Sequence, residues 1–320
     1  MKEIGGYFEI ECFEGKKLYK DLISLNYARN ALEILAKERK ISKIYLPYYL
    51  CNLVFEKCNK LNIFVEFYHI DFEFKPILEN IKLGDKEYIY IVNYYGLLTN
   101  EYIKSLKMKF SNIIVDNVQA FFQEPIKEID TIYSCRKFFG VPDGAYLSAN
   151  IINESITEEE KVIDDIKYMI GRLEGSSASE FYNDFKKVSD QIKDRNAKRM
   201  SKFSDNILKS INYKNVKKKR ENNFKYLHKH LENLNLLNIP KNLKGPYMYP
   251  FLVENSEKIK NKLIKNKIYI PLLWPNIDNK NLNEYEKKFI NNILPLPIDQ
   301  RYNEEDMKKI IELIKGGRNV

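Results

Sequence analysis

Apolar residues recur along this chain with two alternating periods. Ala28 to Lys40 carries Ala31, Leu32 and Leu35 at helical spacing among charged positions, which predicts a helix. Lys43 to Leu46 reads as a short strand stopped by Pro47, and Cys51 to Leu61 as a second helix. Ile63 to Ile70 and Glu87 to Tyr94 are β-rich runs, and Glu101 to Phe110 is helical. Asn112 to Asp116 is a buried strand that ends in an acid, and Thr131 to Ser134 and Ala145 to Ala149 are short strands. Strand alternating with helix predicts a mostly parallel sheet covered on both faces. In such sheets ligands bind at the carboxyl ends of the strands. The polar residues that follow each strand should therefore converge.

Beyond Asn150 the pattern changes. Glu158 to Leu173, Glu180 to Ile211 and Lys214 to Asn235 read as helices. Met248 to Val253, Ile268 to Leu273 and Ile293 to Leu296 then read as strands, alternating with helices over Glu257 to Asn266 and Glu304 to Lys315. The expected division is a large α/β domain over 1–210 and a small α/β domain over 211–320.

Composition narrows the class. With 44% apolar and 30% charged residues in 320, a soluble globular protein is expected. No apolar run approaches the ~20 residues of a membrane span, and Met1 to Glu11 lacks the apolar core of a secretory signal. A cytoplasmic protein with no membrane partner is the resulting expectation. The net charge of +9 is spread out, and its one dense run, Lys217 to Arg220, sits in a helix-like segment beside Glu221. Without a basic stripe or a base-reading motif, no nucleic-acid partner is expected, and the charge better suits an enzyme with an anionic substrate. Four cysteines without a Cys-x-x-Cys pair fit reduced thiols. His228 and His230 lie two apart in a helix-like segment and point different ways, so no metal is expected.

Four places carry candidate chemistry. In Val115-Asp116-Asn117-Val118-Gln119 an acid ends a buried strand, where a carboxylate is costly unless it meets a cation or donors. The protonated pyridine nitrogen of pyridoxal phosphate (PLP) is such a cation, and Gln119 can donate to the ring's phenolic oxygen. The alternative is an Asp that caps a helix. In Ser134-Cys135-Arg136-Lys137-Phe138-Phe139-Gly140, a lysine follows a strand in an aromatic turn, as a Schiff-base lysine would; the alternative is a basic surface loop. Leu25 to Leu32 opens a helix whose first amides, with Arg29, can bind phosphate; the alternative is an ordinary cap at Asn26. Asn93-Tyr94-Tyr95-Gly96 and Pro47-Tyr48-Tyr49 leave buried strands with aromatics that can flank a flat ring, although core packing is the default among 23 tyrosines.

The order of these features resembles the large domain of fold-type I PLP enzymes, which implies a mixed, mostly parallel seven-stranded sheet, and most of all it resembles the DegT-type sugar aminotransferases. Tyr27-Ala28-Arg29 stands where that family has Ser-Gly-Thr, and Asp116 to Gln119 resembles its Asp-Ala-Ala-Gln. Lys137 followed by Pro142-Asp143-Gly144 resembles its lysine and Gly-Glu/Asp-Gly turn, and Leu294-Pro295-Leu296-Pro297 its C-terminal leucine-proline turn. The likeness covers most of 25–150 and, more loosely, 196–315. Ser134 lies three residues before Lys137 where the family has five, the partner-subunit stretch survives faintly as Asn196 to Met200, and the family's C-terminal histidine is replaced near Trp274.

The resemblance implies Lys137 as the catalytic Schiff-base lysine. It implies Asp116, Gln119, Ala28, Arg29, Ser134 and Asn93 as cofactor contacts, and Tyr94 and Trp274 as substrate contacts. It further implies a homodimeric PLP-dependent aminotransferase that moves an amino group from glutamate to a keto group on a nucleotide-linked sugar, for cell-surface polysaccharide. A dehydratase or decarboxylase acting on a small substrate, or a catalytically idle PLP-fold protein, are the alternatives.

Overall fold

In the computed structural model, residues 4–151, 156–175, 177–274 and 277–316 are described. The first half runs β1 (Ile23–Leu25), α1 (Ala28–Glu38), β2 (Lys43–Pro47), α2 (Asn52–Lys60), β3 (Phe64–Tyr68), β4 (Glu87–Val92), α3 (Asn100–Lys109), β5 (Ile113–Asp116), β6 (Asp130–Ser134) and β7 (Ala145–Ser148). These strands form one seven-stranded sheet in the order β1-β7-β6-β5-β4-β2-β3. From β3 to β6 neighbours are parallel, whereas β7 runs antiparallel to β6 and to β1. Strands β4, β5 and β6 are buried almost throughout, as strands covered on both faces must be. The mostly parallel, seven-stranded sheet that the resemblance implies is observed; its edge strand β1 is the one that the apolar pattern does not announce.

The second half runs α4 (Lys167–Leu173), α5 (Tyr182–Gln191), α6 (Lys202–Ser210), α7 (Tyr213–Leu231), β8 (Tyr249–Leu252), α8 (Ser256–Lys265), α9 (Glu284–Asn292), β9 (Ile293–Leu296) and α10 (Glu304–Lys315). Strands β8 and β9 pair antiparallel. Phe224, Leu227 and Leu231 of α7 and Met307, Ile310 and Ile311 of α10 are buried in the core they share with β8 and β9. Full burial of one such side chain contributes about 1.5–3 kcal/mol. The same apolar cluster includes the strands of the large sheet, so the core crosses the expected boundary at 210. Among the described residues no helix is long and apolar enough to cross a membrane.

Three predicted elements differ. Residues 158–160 are extended rather than helical: Glu160 donates its amide to the Arg199 carbonyl at 3.0 Å, and Arg199 donates to that of Glu158 at 2.9 Å. That pairing also breaks the predicted helix over Glu180 to Ile211 into α5 and α6, with Asn196 to Met200 extended between them. Ile268 to Leu273 forms no strand; Pro271 cannot donate to a ladder, and Trp274 ends the segment at φ 56°. Helix α9, which the apolar pattern did not announce, starts on an Asn283–Glu286 capping box.

The extended stretch after α5 is tied to the start of α1. Asn26 donates its amide to the Lys198 carbonyl at 2.9 Å, and the Asn30 side chain donates to the carbonyls of Arg195 and Asn196 at 3.2 and 3.0 Å.

Candidate active site

Asp116 ends β5 in the middle of the sheet, flanked by Val92 on β4 and Ile132 on β6. It is 4% exposed. Its Oδ2 accepts the Tyr90 hydroxyl at 2.8 Å and its Oδ1 the Val118 amide at 2.9 Å. A turn follows, not a helix, so the helix-cap alternative does not apply. Burial raises the carboxyl's pKa, opposed by the Val118 amide, the Tyr90 hydroxyl and the charge of Lys137. A carboxylate in this state is stabilised by any cation brought to it.

Gln119 follows in the same turn and is 1% exposed. Its Oε1 accepts the Tyr95 backbone amide at 2.8 Å, while its Nε2 is buried with no partner among the described residues. The Tyr95 hydroxyl is buried and unpartnered as well. Asn93 and Tyr94 have different places from those expected. The Asn93 amide nitrogen is taken up by Asn117, Gln123 and Leu98, and its oxygen accepts the Leu98 amide. Asn93 therefore fastens the loop after β4 to the loop after β5 and has nothing to offer a ligand. Tyr94 is buried, its hydroxyl donates to the Tyr49 carbonyl, and its ring packs on Phe74 and Trp274. Trp274 is only partly buried and meets the ring of Tyr49 edge-on at 4.7 Å.

Ser134, buried at the end of β6, lies opposite Ala145. The turn after it closes when the amides of Phe138 and Phe139 donate to the Cys135 carbonyl, both at 2.9 Å. Phe138 and Phe139 pack against Phe121, Phe122, Tyr213 and Tyr247. This is no surface loop; it is wedged into an aromatic cluster. Lys137 projects from it with Nζ 5.3 Å from the centre of the Tyr247 ring. Asp143 accepts the Ser201 amide at 2.8 Å, the Ser201 hydroxyl at 2.6 Å and the Ser204 hydroxyl, and so holds Ser201, the residue whose hydroxyl caps α6. Gly144 sits at φ 121°, where a Cβ would lie 3.1 Å from that of Cys135.

Helix α1 starts at Tyr27 without a side-chain cap. Asn26 does not cap it; its oxygen accepts the Tyr27 amide and its nitrogen donates to Glu160 and to the Asn196 carbonyl. The first intrahelical donors are Asn30 and Ala31, both to the Tyr27 carbonyl, so the amides of Ala28 and Arg29 precede the ladder. The guanidinium groups of Arg29 and Arg136 lie 4.9 and 5.8 Å from the Tyr27 ring centre. Both have a buried Nε without a partner among the described residues. Burial, reinforced by the charge of Arg136, lowers the pKa of Arg29. Two cations at a helix N-terminus favour an anion there. A cavity of about 390 Å³ borders this region, lined among others by Arg136, Lys137, Tyr168, Gln300 and Arg301.

The structure thus gathers Asp116, Gln119 and Lys137 at the carboxyl end of the sheet, with Ala28 and Arg29 at the start of α1. These groups fit PLP: a buried carboxylate for the ring nitrogen, an orphaned donor for the ring oxygen, cations and amides for the phosphate, and an amine for the aldehyde. The apolar pattern does not announce Tyr90, whose hydroxyl holds Asp116, or Tyr247, whose ring faces Lys137 Nζ.

No protein-family model matches the sequence, and no curated protein matches it. Solved structures do resemble the fold. DesV from S. venezuelae superposes with a TM-score of 0.68 at 13% identity, over 93% of this chain and 85% of that one. A DegT DnrJ EryC1 StrS aminotransferase from Brucella abortus gives 0.62 at 15%, over 92% and 85%. NtdA from Bacillus subtilis, with bound cofactor PMP, gives 0.65 at 15%, over 92% and 73%. The fold is that of the fold-type I PLP-dependent transferases. At 13–15% identity the likeness is one of fold: the chain has the architecture that these solved aminotransferases share.

Proposed function

We propose that this chain is a PLP-dependent aminotransferase that moves an amino group from glutamate to a keto group on a nucleotide-linked sugar. The observation that carries the reading is one juxtaposition. A buried, cation-seeking Asp116, the free donor of Gln119 and the amine of Lys137 share the carboxyl edge of a fold that the solved aminotransferases also have.

When bound, PLP supplies an electron sink for negative charge at the substrate's Cα. Asp116 would keep the proton on the ring nitrogen. Gln119 Nε2 would donate to the ring oxygen. The Ala28 and Arg29 amides, with the Arg29 and Arg136 guanidinium groups and Ser134, would hold the phosphate. Lys137 Nζ would hold the cofactor's aldehyde carbon and, when free, would take the proton from the substrate's Cα and return it as base and acid. Trp274, beside Tyr49, contributes to the substrate side. The basic balance of the chain suits a diphosphate-bearing acceptor. The same reading makes the protein a cytoplasmic homodimer serving cell-surface polysaccharide synthesis, built from a large unit over 1–210 and a small one over 211–320.

The test is direct. Protein incubated with PLP should turn yellow, and borohydride should fix one cofactor per chain at Lys137, located by peptide mass. Lys137→Ala should abolish both signals. Glutamate should then bleach the colour and a nucleotide-linked keto sugar restore it. A colourless protein that takes up no PLP would sink the reading. A yellow one that glutamate never bleaches would remove transamination.

A further inference from the structure

Arg220 is a buried cation with no part in the site described so far. It ends the run Lys217 to Arg220 on α7. Lys218 and Lys219 are exposed, whereas Arg220 is 1% exposed. Among the described residues no carboxylate pairs with it directly; Asp299 acts from a distance and is itself gripped by Arg301. A buried charge of this kind destabilises a fold unless its donors are satisfied, and here they are satisfied by carbonyls. Nη1 donates to the carbonyls of Pro246 and Tyr247, both at 3.1 Å, and Nη2 to that of Phe138 at 3.3 Å. Nε donates to Gln300 Oε1 at 2.9 Å, and Gln300 Nε2 returns to the Phe138 carbonyl at 2.7 Å. The guanidinium also lies 4.6 Å from the Phe138 ring centre.

Two of the three residues held in this way lie beside Lys137. Phe138 follows it in the turn, and the Tyr247 ring faces its Nζ. We propose that Arg220 and Gln300 are positioning residues for Lys137, clamping the Phe138 carbonyl and the Tyr247 backbone so that the amine is aimed at the cofactor's aldehyde carbon. The inference rests on the PLP reading. The clamp joins α7 and the segment after β9 to the turn after β6. Displacing a reacting group by about 1 Å costs up to about a hundredfold in rate, so the geometry of this turn controls covalent capture more than it controls affinity.

The experiment compares two ligands in full-length protein. PLP is captured covalently by Lys137; pyridoxamine phosphate occupies the same site without a bond to it. Gln300→Glu keeps an acceptor for Arg220, now a charged one, and replaces the donor to Phe138 by an oxygen that its carbonyl repels. It should bind pyridoxamine phosphate within about twofold of the parent yet capture PLP, read as borohydride-trapped chain against time, about tenfold more slowly or worse. Arg220→Met should capture at least as slowly, and Arg220→Lys should recover part of the rate. Capture at the parental rate in Gln300→Glu and Arg220→Lys would overturn the proposal. So would equal losses for both ligands, the mark of a merely structural role. If Arg220→Met fails to fold, Gln300→Glu decides. A parent protein that captures no PLP at all would instead remove the underlying reading.

Discussion

Tyr95 fixes which end of Gln119 faces away from the scaffold: its backbone amide occupies the Gln119 Oε1 at 2.8 Å, and the amide nitrogen is left as the free group. Tyr95 itself stands at φ 55°, a conformation rare for a bulky residue outside sites that require it. In Gln119→Glu the Tyr95 contact survives and the donor is lost. Cofactor affinity should fall by roughly tenfold, or about 1.4 kcal/mol, with the melting temperature little changed. Gln119→Leu loses both groups and strands the Tyr95 amide, which should destabilise the fold by about 1–3 kcal/mol. Parental affinity in Gln119→Glu would show that the ring oxygen lies elsewhere.

Asp116 makes the stability of the cofactor-free protein depend on pH. Burial raises its folded pKa above the unfolded value. The folded state therefore keeps its proton where the unfolded state has lost it. The penalty is absent below the ordinary carboxylate range, builds as the pH rises through that range, and is complete above the folded pKa. Asp143, raised by the same burial against its Ser201 and Ser204 donors, acts in the same direction. Denaturation of Asp116→Asn without cofactor should show higher stability than the parent at neutral pH and little difference in acid. Its affinity for PLP should drop by roughly tenfold or more. A variant that is less stable at neutral pH would contradict the assigned cause.

Arg29 and Arg136 should distinguish phosphate from no phosphate. Replacing either by Met should weaken PLP binding by roughly tenfold, while binding of pyridoxal, which lacks the phosphate, should hardly change. Equal losses for both ligands would remove the anion from the start of α1.

Asp143 and Gly144 support the turn from behind. Asp143→Ala removes the three hydrogen bonds that hold Ser201 and Ser204 at the start of α6, and a loss of about 2 kcal/mol is expected in chemical denaturation. Gly144→Ala places a Cβ 3.1 Å from Cys135 at a φ of 121°, a strain of about 1–3 kcal/mol. If either variant unfolds at the parental midpoint, the turn does not depend on these contacts.

The legible parts of the sequence were those set by local periodicity. Asp116 and Lys137 stand at the ends of apolar runs, and a strand end is visible in a few residues. What the pattern concealed lies in long-range pairing. Residues 158–160 have helical composition but are drawn out by Arg199, and β1 is only three residues long. Asn93 and Tyr94 look like a ligand-facing turn, yet their polar atoms close on Asn117, Gln123 and Tyr49. Arg220 looked like one more lysine-run neighbour. Its burial depends on Phe138, Pro246 and Gln300, which no helical period can announce.

The ties from Asn26 and Asn30 to Arg195, Asn196 and Lys198 set a timetable for the chain as it is made. Strands β1 to β7 leave the ribosome first, but the end of α1 that faces the anion site gains its anchor only after some fifty further residues, and domains generally fold as units during synthesis. A nascent chain halted at β7 would hold the aspartate and the lysine with the opening of α1 still loose. Uptake of the cofactor would then report that translation has passed the segment after α5, and a ribosome-bound fragment would acquire the colour late, in one step.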